Sequence, residues 1–328
     1  MQGLLTGKLP PELLRELLAE AAADAPEVLL GPAVGEDACA IEVGGGVLVA
    51  ATDPITLTGA GVGAHSVVIN ANDVAVMGVR PRWFLAVVLL PEGTEADDVR
   101  ALLAGTRRAL DAVGAVLVGG HTEVTSAVVQ PVVVGQMLGF AADGRFVPTG
   151  GAAPGHRIVQ VGPAPVEAAA VLAAEVPGAG VGAEVRALAS AALEDPGISV
   201  VEAALVAAEL GALALHDPTE GGLSSGLYEL ADASGVALQV DAEAVLWFEP
   251  GRALCRAAGA DPWGAIASGA LLAAFDADRV AAALDALDAR GFAARVVAQA
   301  EEGEGVSCRG AALTRFDRDE VARVLAEG

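Results

Sequence analysis

Three aspartates stand where chemistry could be done. Asp37 lies in GEDACAIEV, Asp53 in AATDP and Asp73 in INANDVAVMG. Asp73 is the unusual one, because a carboxylate among Val, Ile, Ala and Met is costly to bury alone. Asn70 and Asn72 accompany it. Hard cations take carboxylate oxygens, and Mg²⁺ commonly bridges them to substrate phosphates. The plainer alternative is that Asp73 anchors a neighbouring loop, and the residues alone leave both open. Two further stretches share one design. VLVGGHTEVT, Val116 to Thr125, is an apolar run that meets two glycines and then His121. HDPTEGG, His216 to Gly222, follows the apolar GALAL and ends in two glycines before a helical pattern. Either glycine pair would let backbone approach a ligand, and N–H groups at a helix start make an anion site. The alternatives are an ordinary turn for the first and a capped helix entry for the second, with Asp217 or Thr219 as cap.

Other sites are absent from the pattern. GLLTGKL (Gly3 to Leu9) has the spacing of a phosphate loop one residue short, with Leu9 where a hydroxyl residue belongs. GAGVG at 59–63 lacks dinucleotide spacing. No GxSxG or HExxH occurs, and the histidines at 65, 121, 156 and 216 are scattered.

The elements that must position these residues alternate. A helix is expected over Pro10 to Ala23, with leucines 13, 14, 17 and 18 on one face. Gly46 to Asp53 reads as a buried strand that the carboxylate closes, Val62 to Gly78 as a helix, and RWFLAVVLLP as a strand ended by Pro91. TEADDVRALLAGTRRALDAVG is an amphipathic helix with Thr94 as N-cap and Gly114 as C-cap. Val124 to Ala142 carries no charge over nearly membrane-spanning length, but its Gln, Pro, Gly and Val content favours buried strand. Beyond the soft spot Gly150 to Gly155 a second series runs from HRIVQVG, with helices near 200–210 and 223–234. Strand–helix alternation in both halves implies an α/β or α+β protein of two domains, 1–150 and 151–328.

Composition narrows the partners. At 54% hydrophobic and only 3% aromatic, the 328-residue chain must build its core from Ala, Val and Leu. A net charge of -24 argues against nucleic acid and anionic membrane surfaces. Cys39, Cys255 and Cys308 are far apart, which fits a reducing cytosol rather than a disulfide framework. Pro10, Pro11 and Glu12 interrupt where a signal peptide would stay apolar.

Taken in order, GEDACAI, TDP, NANDVAVMGVRP, GGHTEVT, HDPTEGGL and SGALLAAF resemble the PurM-like, AIR synthase-related ATP-binding superfamily over residues 30 to 300. Its members include aminoimidazole ribonucleotide synthetase, thiamine-monophosphate kinase, selenophosphate synthetase and the hydrogenase-maturation carbamoyl dehydratase, the last being the closest likeness. The resemblance implies an N-terminal domain whose strands pair with a second subunit in a shared barrel, and a C-terminal α/β domain. It implies Mg²⁺ on Asp37, Asp53 and Asp73. It implies ATP contacts from Asn70, Asn72, Gly120, His121 and Thr122, and from Asp217, Thr219 and Gly221, with His121 and Asp73 in the catalytic step. The implied chemistry is phosphorylation of a small molecule's amide, carbonyl or hydroxyl oxygen by a cytosolic homodimer. A kinase stops at that transfer. A sensor or assembly module that binds nucleotide without turnover is the reading from another class.

The departures are specific. Relatives read Gly-Asp-Thr where this chain has Gly120, His121 and Thr122, and imidazole is a poor Mg²⁺ ligand beside carboxylate. Glu123 could substitute if the loop bends. Glu220 stands where the dehydratase often has Arg, and Ala64 and His65 where relatives offer Lys. The dehydratase's terminal Cys has no counterpart in VARVLAEG, and Cys308 is expected in a strand or turn.

Overall fold

A computed structural model of the chain describes Leu9 and residues 11–21, 25–56 and 61–327. The Gly3 to Leu9 stretch, Leu9 apart, and the start of GAGVG lie outside the described residues. Helix α1 spans Pro11–Ala21. Leu13, Leu14 and Leu18 are half-buried on it, whereas Leu17 is exposed.

The chain divides into two compact units, one from the described residues within 24–31 and 37–146, the other from those within 1–23, 32–36 and 147–328. In the first, the elements run β1 (Val28–Leu30), β2 (Cys39–Val43), β3 (Gly46–Ile55), α2 (Val62–Ala75), β4 (Pro81–Leu90), α3 (Ala96–Val113), β5 (Val116–Val124) and β6 (Val132–Ala141). The sheet order is β1-β2-β3-β6-β4-β5, antiparallel except for β4 with β5. Asp53 does not close its strand, since β3 continues to Ile55. Helix α2 is buried along its length against β3, β6 and α3, its polar residues His65, Ser66, Asn70, Asn72 and Asp73 included. By contrast α3 buries only Thr106, Leu110 and Val113. Its N-cap is Glu95 rather than Thr94: the Glu95 N–H donates to Asp98 Oδ2 at 3.3 Å, while the Thr94 hydroxyl donates to the Pro91 carbonyl at 2.8 Å. Gly114 is the C-cap in the left-handed conformation that a residue without Cβ adopts freely. The uncharged Val124 to Ala142 stretch splits between the end of β5, a turn and β6. Among the described residues no helix is long and apolar enough to cross a membrane.

The second unit runs β7 (Arg157–Val161), α4 (Val166–Glu175), α5 (Ala183–Ser190), α6 (Val201–Glu209), β8 (Ala214–His216), α7 (Gly222–Ser234), β9 (Ala237–Val240), α8 (Glu249–Ala258), β10 (Leu271–Phe275), α9 (Val280–Asp288), β11 (Ala294–Glu301), β12 (Gly305–Cys308), β13 (Ala311–Ala312) and α10 (Glu320–Glu327). Its sheet is ordered β13-β12-β9-β11-β7-β10-β8, with only β9 and β12 parallel. Leu223, Leu227 and Leu230 of α7 pack on Ile158, Leu238 and Leu272 of the sheet, so aliphatic side chains supply most of this core. Cys308 is the last residue of β12.

Candidate functional site

Asn70 fixes the geometry of the first unit's site. It is fully buried in α2. Its Nδ2 donates to the Ser66 carbonyl at 2.8 Å and to the Asp53 carbonyl at 3.3 Å, and its Oδ1 accepts the Asp53 N–H at 2.8 Å. One amide thus ties the backbone of β3 at Asp53 to the helix that carries Asp73. The clamp needs a glycine opposite. A Cβ on Gly135, which pairs with Asp53 in β6, would stand 2.4 Å from Asn70 Nδ2 and 2.9 Å from the Phe84 ring. Asn72 is fully buried and Asp73 is 6% exposed. Asp73 sits in the last turn of α2, where the carbonyl end of the helix dipole disfavours negative charge. The Asp53 side chain is exposed, and Asp37 is half-buried in the loop before β2. Among the described residues no group of three or more His, Cys, Asp and Glu side chains is arranged to hold a metal. The structure therefore links Asp53 to α2 but does not assemble the three aspartates into a ready cage.

The strand at Val116 does not stop at its glycines. β5 passes through Gly119, Gly120, His121, Thr122 and Glu123 to Val124, pairing with β4 on both sides of one irregularity. Register shifts between Phe84 and Leu85, so Val118 is an extra, bulged residue. Gly120 (φ 147°) is required by its neighbour: a Cβ there would lie 2.0 Å from the Ala86 carbonyl oxygen. The glycine thus serves close strand pairing. His121 and Glu123 share one face by strand alternation, with Nε2 and Oε2 3.3 Å apart and the side chains 63% and 48% exposed. No bend is needed to bring them together. Every residue of β5 is exposed, including Val116, Leu117, Val118 and Val124.

In the second unit, the turn before α7 is already occupied. His216 and Asp217 are buried, and His216 Nε2 lies 3.0 Å from Glu229 Oε2. Gly221, rather than Asp217 or Thr219, is the N-cap of α7. The Gly221 N–H donates to Asp319 Oδ2 at 2.9 Å, so the expected open anion position at Gly221 is filled by the chain's own carboxylate. The other oxygen, Asp319 Oδ1, accepts the N–H groups of Val321 (2.8 Å) and Ala322 (3.3 Å) at the start of α10. Burial pushes the Asp319 carboxyl up to about 6, against the pull of those three N–H groups, and the charge of Glu220 adds to the rise. The Thr219 carbonyl accepts from Gly222 at 3.0 Å and from Ala267 at 3.2 Å. Sequence reasoning missed Glu229 and Asp319. An Asp just before an apolar helical run is a cap signal for α10, but nothing in the sequence pointed to its bond with Gly221.

Comparison with known proteins agrees over most of the chain. The family described as AIR synthase related protein, N-terminal domain, matches residues 35–141, and its C-terminal domain matches residues 153–310. Carbamoyl dehydratase HypE of Rhodobacter capsulatus is 30% identical over 251 residues, 75% of this chain and 72% of that protein. Thiamine-monophosphate kinase of Corynebacterium glutamicum is 31% identical over 213 residues, covering 63% of this chain and 62% of the kinase. Among solved structures, tt0281 from Thermus thermophilus matches with a TM-score of 0.76 and 26% identity over 93% of this chain and 98% of that one. The hydrogenase maturation protein HypE in complex with ATP matches in fold, with a TM-score of 0.72 at 23% identity over 89% of this chain and 92% of its own.

Proposed function

Because the chain belongs to the PurM-like, AIR synthase-related family, we propose that it is an ATP- and Mg²⁺-dependent enzyme that phosphorylates an amide, carbonyl or hydroxyl oxygen of a small molecule. The observation that carries this reading is the buried Asn70 clamp, which ties the Asp53 backbone of β3 to α2, the helix that carries Asp73. Asp53 and Asp73, with Asp37, are assigned to the cation. Mg²⁺ is commonly held by one or two carboxylates and completed by substrate phosphates, so a protein cage of three acids is not required. Such a cation would neutralise charge on the transferring phosphoryl group. Asn72, Gly120 and Thr122 are assigned to the nucleotide, and the Thr219 hydroxyl to a phosphate contact on its own unit, whereas the buried carboxylate of Asp217 is unsuited to an anion. With a hydroxyl acceptor, that oxygen bonds to the γ-phosphorus, the β–γ bridging P–O bond breaks with its electrons on ADP, and His121 takes the hydroxyl proton. Glu123 orients the imidazole for that role.

The exposed apolar edge of β5 supports a homodimer, since an unpaired edge strand is a template for a second chain. The three free cysteines support a cytosolic home. The identity with a thiamine-monophosphate kinase supports a second outcome in which the phosphorylated product is released as such. The occupied N–H of Gly221 supports a third, a module that binds nucleotide without turnover.

Calorimetric titration with a non-hydrolysable ATP analogue, with and without Mg²⁺, tests the reading. Wild type is expected to bind only with Mg²⁺, and Asp73→Asn to lose that binding while keeping its circular dichroism. Equal affinity in the variant would remove Asp73 from the metal role, and no binding by the wild type would end the ATP reading.

A further inference from the structure

A cleft of about 1040 Å³ opens on the second unit between α8, the loop after β9 and the end of β12. None of the residues assigned to ATP or Mg²⁺ lines it. Trp247 and Trp263 line it edge to face, ring centroids 5.0 Å apart at 90°. Arg252 lies over the Trp247 ring at 5.0 Å from its centroid. The aromatic wall is held from behind. Fully buried Gln160 clamps both backbone groups of Leu246, donating to its carbonyl at 2.9 Å and accepting its N–H at 3.0 Å. The rim holds Arg309, the only non-glycine residue with positive φ (52°) among those described. That φ belongs to the two-residue turn Arg309–Gly310 joining β12 to β13, in which both residues have positive φ.

The lining carries four acids, Glu243, Glu249, Asp261 and Glu320, and four arginines, Arg252, Arg256, Arg295 and Arg309. Each acid of the cleft is already engaged: Glu249 by Arg252 at 2.7 Å, Glu243 by Arg309, Glu320 by Arg323 at 2.7 Å, and Asp261 by the Trp263 N–H at 3.0 Å. Arg256 and Arg295 line the same space, and among the described residues neither has an ion-pair partner. Two uncommitted guanidinium groups beside two indoles suit a ligand with a flat ring and an anionic group, because Arg binds carboxylate and phosphate by paired N–H donors and indole faces stack on planar rings.

The geometry points to a second ligand site in this cleft, taking a small ring-bearing anion, an aryl carboxylate or a heteroaryl phosphate. This goes beyond the proposed function and does not rest on it. Tryptophan fluorescence titrations with four probes test it: benzoate, AMP, inorganic phosphate and adenosine, all without Mg²⁺. At least one of benzoate and AMP is expected to quench saturably, with phosphate alone and adenosine alone about tenfold weaker or worse. Which of the two ring-bearing anions binds more tightly tells carboxylate from phosphate. In the double variant Arg256→Gln/Arg295→Gln, whose side chains are exposed, affinity should fall about tenfold or more. Trp247→Leu should remove most of the quench. Unchanged affinity in the double variant would place the binding elsewhere and overturn the proposal, as would the absence of quenching by both ring-bearing anions.

Discussion

Asp319→Asn should change how stability depends on pH. In the folded chain the Asp319 carboxyl is raised from an ordinary 3.8 to about 6, chiefly by burial. The folded protein therefore holds a proton that the unfolded chain has released. The stability this contributes is fully present below about pH 4 and is lost as pH rises through about 6. The gap between those values corresponds to about 3 kcal/mol. Of the neighbouring charges, Glu320 is held below the usual carboxylate range by Arg323 and does not titrate in this window, while Glu220 adds to the repulsion. Asparagine has no proton to take up. It also offers one carbonyl oxygen where the carboxylate offered two, so either Gly221 or the first turn of α10 loses its acceptor, a cost of about 1–3 kcal/mol. The variant should accordingly be less stable than wild type near pH 4.5, and the difference should shrink or reverse by pH 7. Urea denaturation followed by tryptophan fluorescence at pH 4.5, 5.5 and 7 reads this out. Parallel curves, with the same wild-type-minus-variant difference at every pH, would refute the assignment of a raised carboxyl to Asp319.

Gly135→Ala forces a Cβ into Asn70 and the Phe84 ring; it should cost about 1–3 kcal/mol by overpacking, seen as a lowered melting temperature, and should weaken nucleotide binding by disturbing the Asp53 clamp. Val118→Lys places a charge on the exposed edge of β5; sedimentation should show monomer in place of dimer, while monomer stability should stay within about 0.5 kcal/mol of wild type.

Much of the first unit was legible because its signals are local. Asp73 among Val, Ile, Ala and Met marked a carboxylate that is costly to bury alone, and both it and α2 are buried. Gly114 ended α3 as its position at the close of a periodic run requires. The glycines of β5 were harder to read, because Gly-Gly marks a turn unless another strand lies within 2.0 Å of where a Cβ would be, and that neighbour is Ala86. Likewise Gly221 seemed open to an anion because its acceptor, Asp319, is 98 residues away. His216 finds Glu229 one helix later, a pairing set by how α7 lies on β8. Local pattern supplied the elements, whereas contacts between distant segments decided which donors were still available.

The bulge at Val118 constrains how this segment can vary. Side chains on a strand alternate with a period of two, so one extra residue sets the phase of all that follows it. His121 and Glu123 owe their face to that phase. Substitutions along β5 other than at Gly120 leave it intact, but a single-residue insertion or deletion between Val118 and His121 would reverse it. Lineages descended from this chain can therefore change the chemistry of His121 by point replacement, yet can alter the length of this segment only in steps of two without turning the pair to the other side of the sheet.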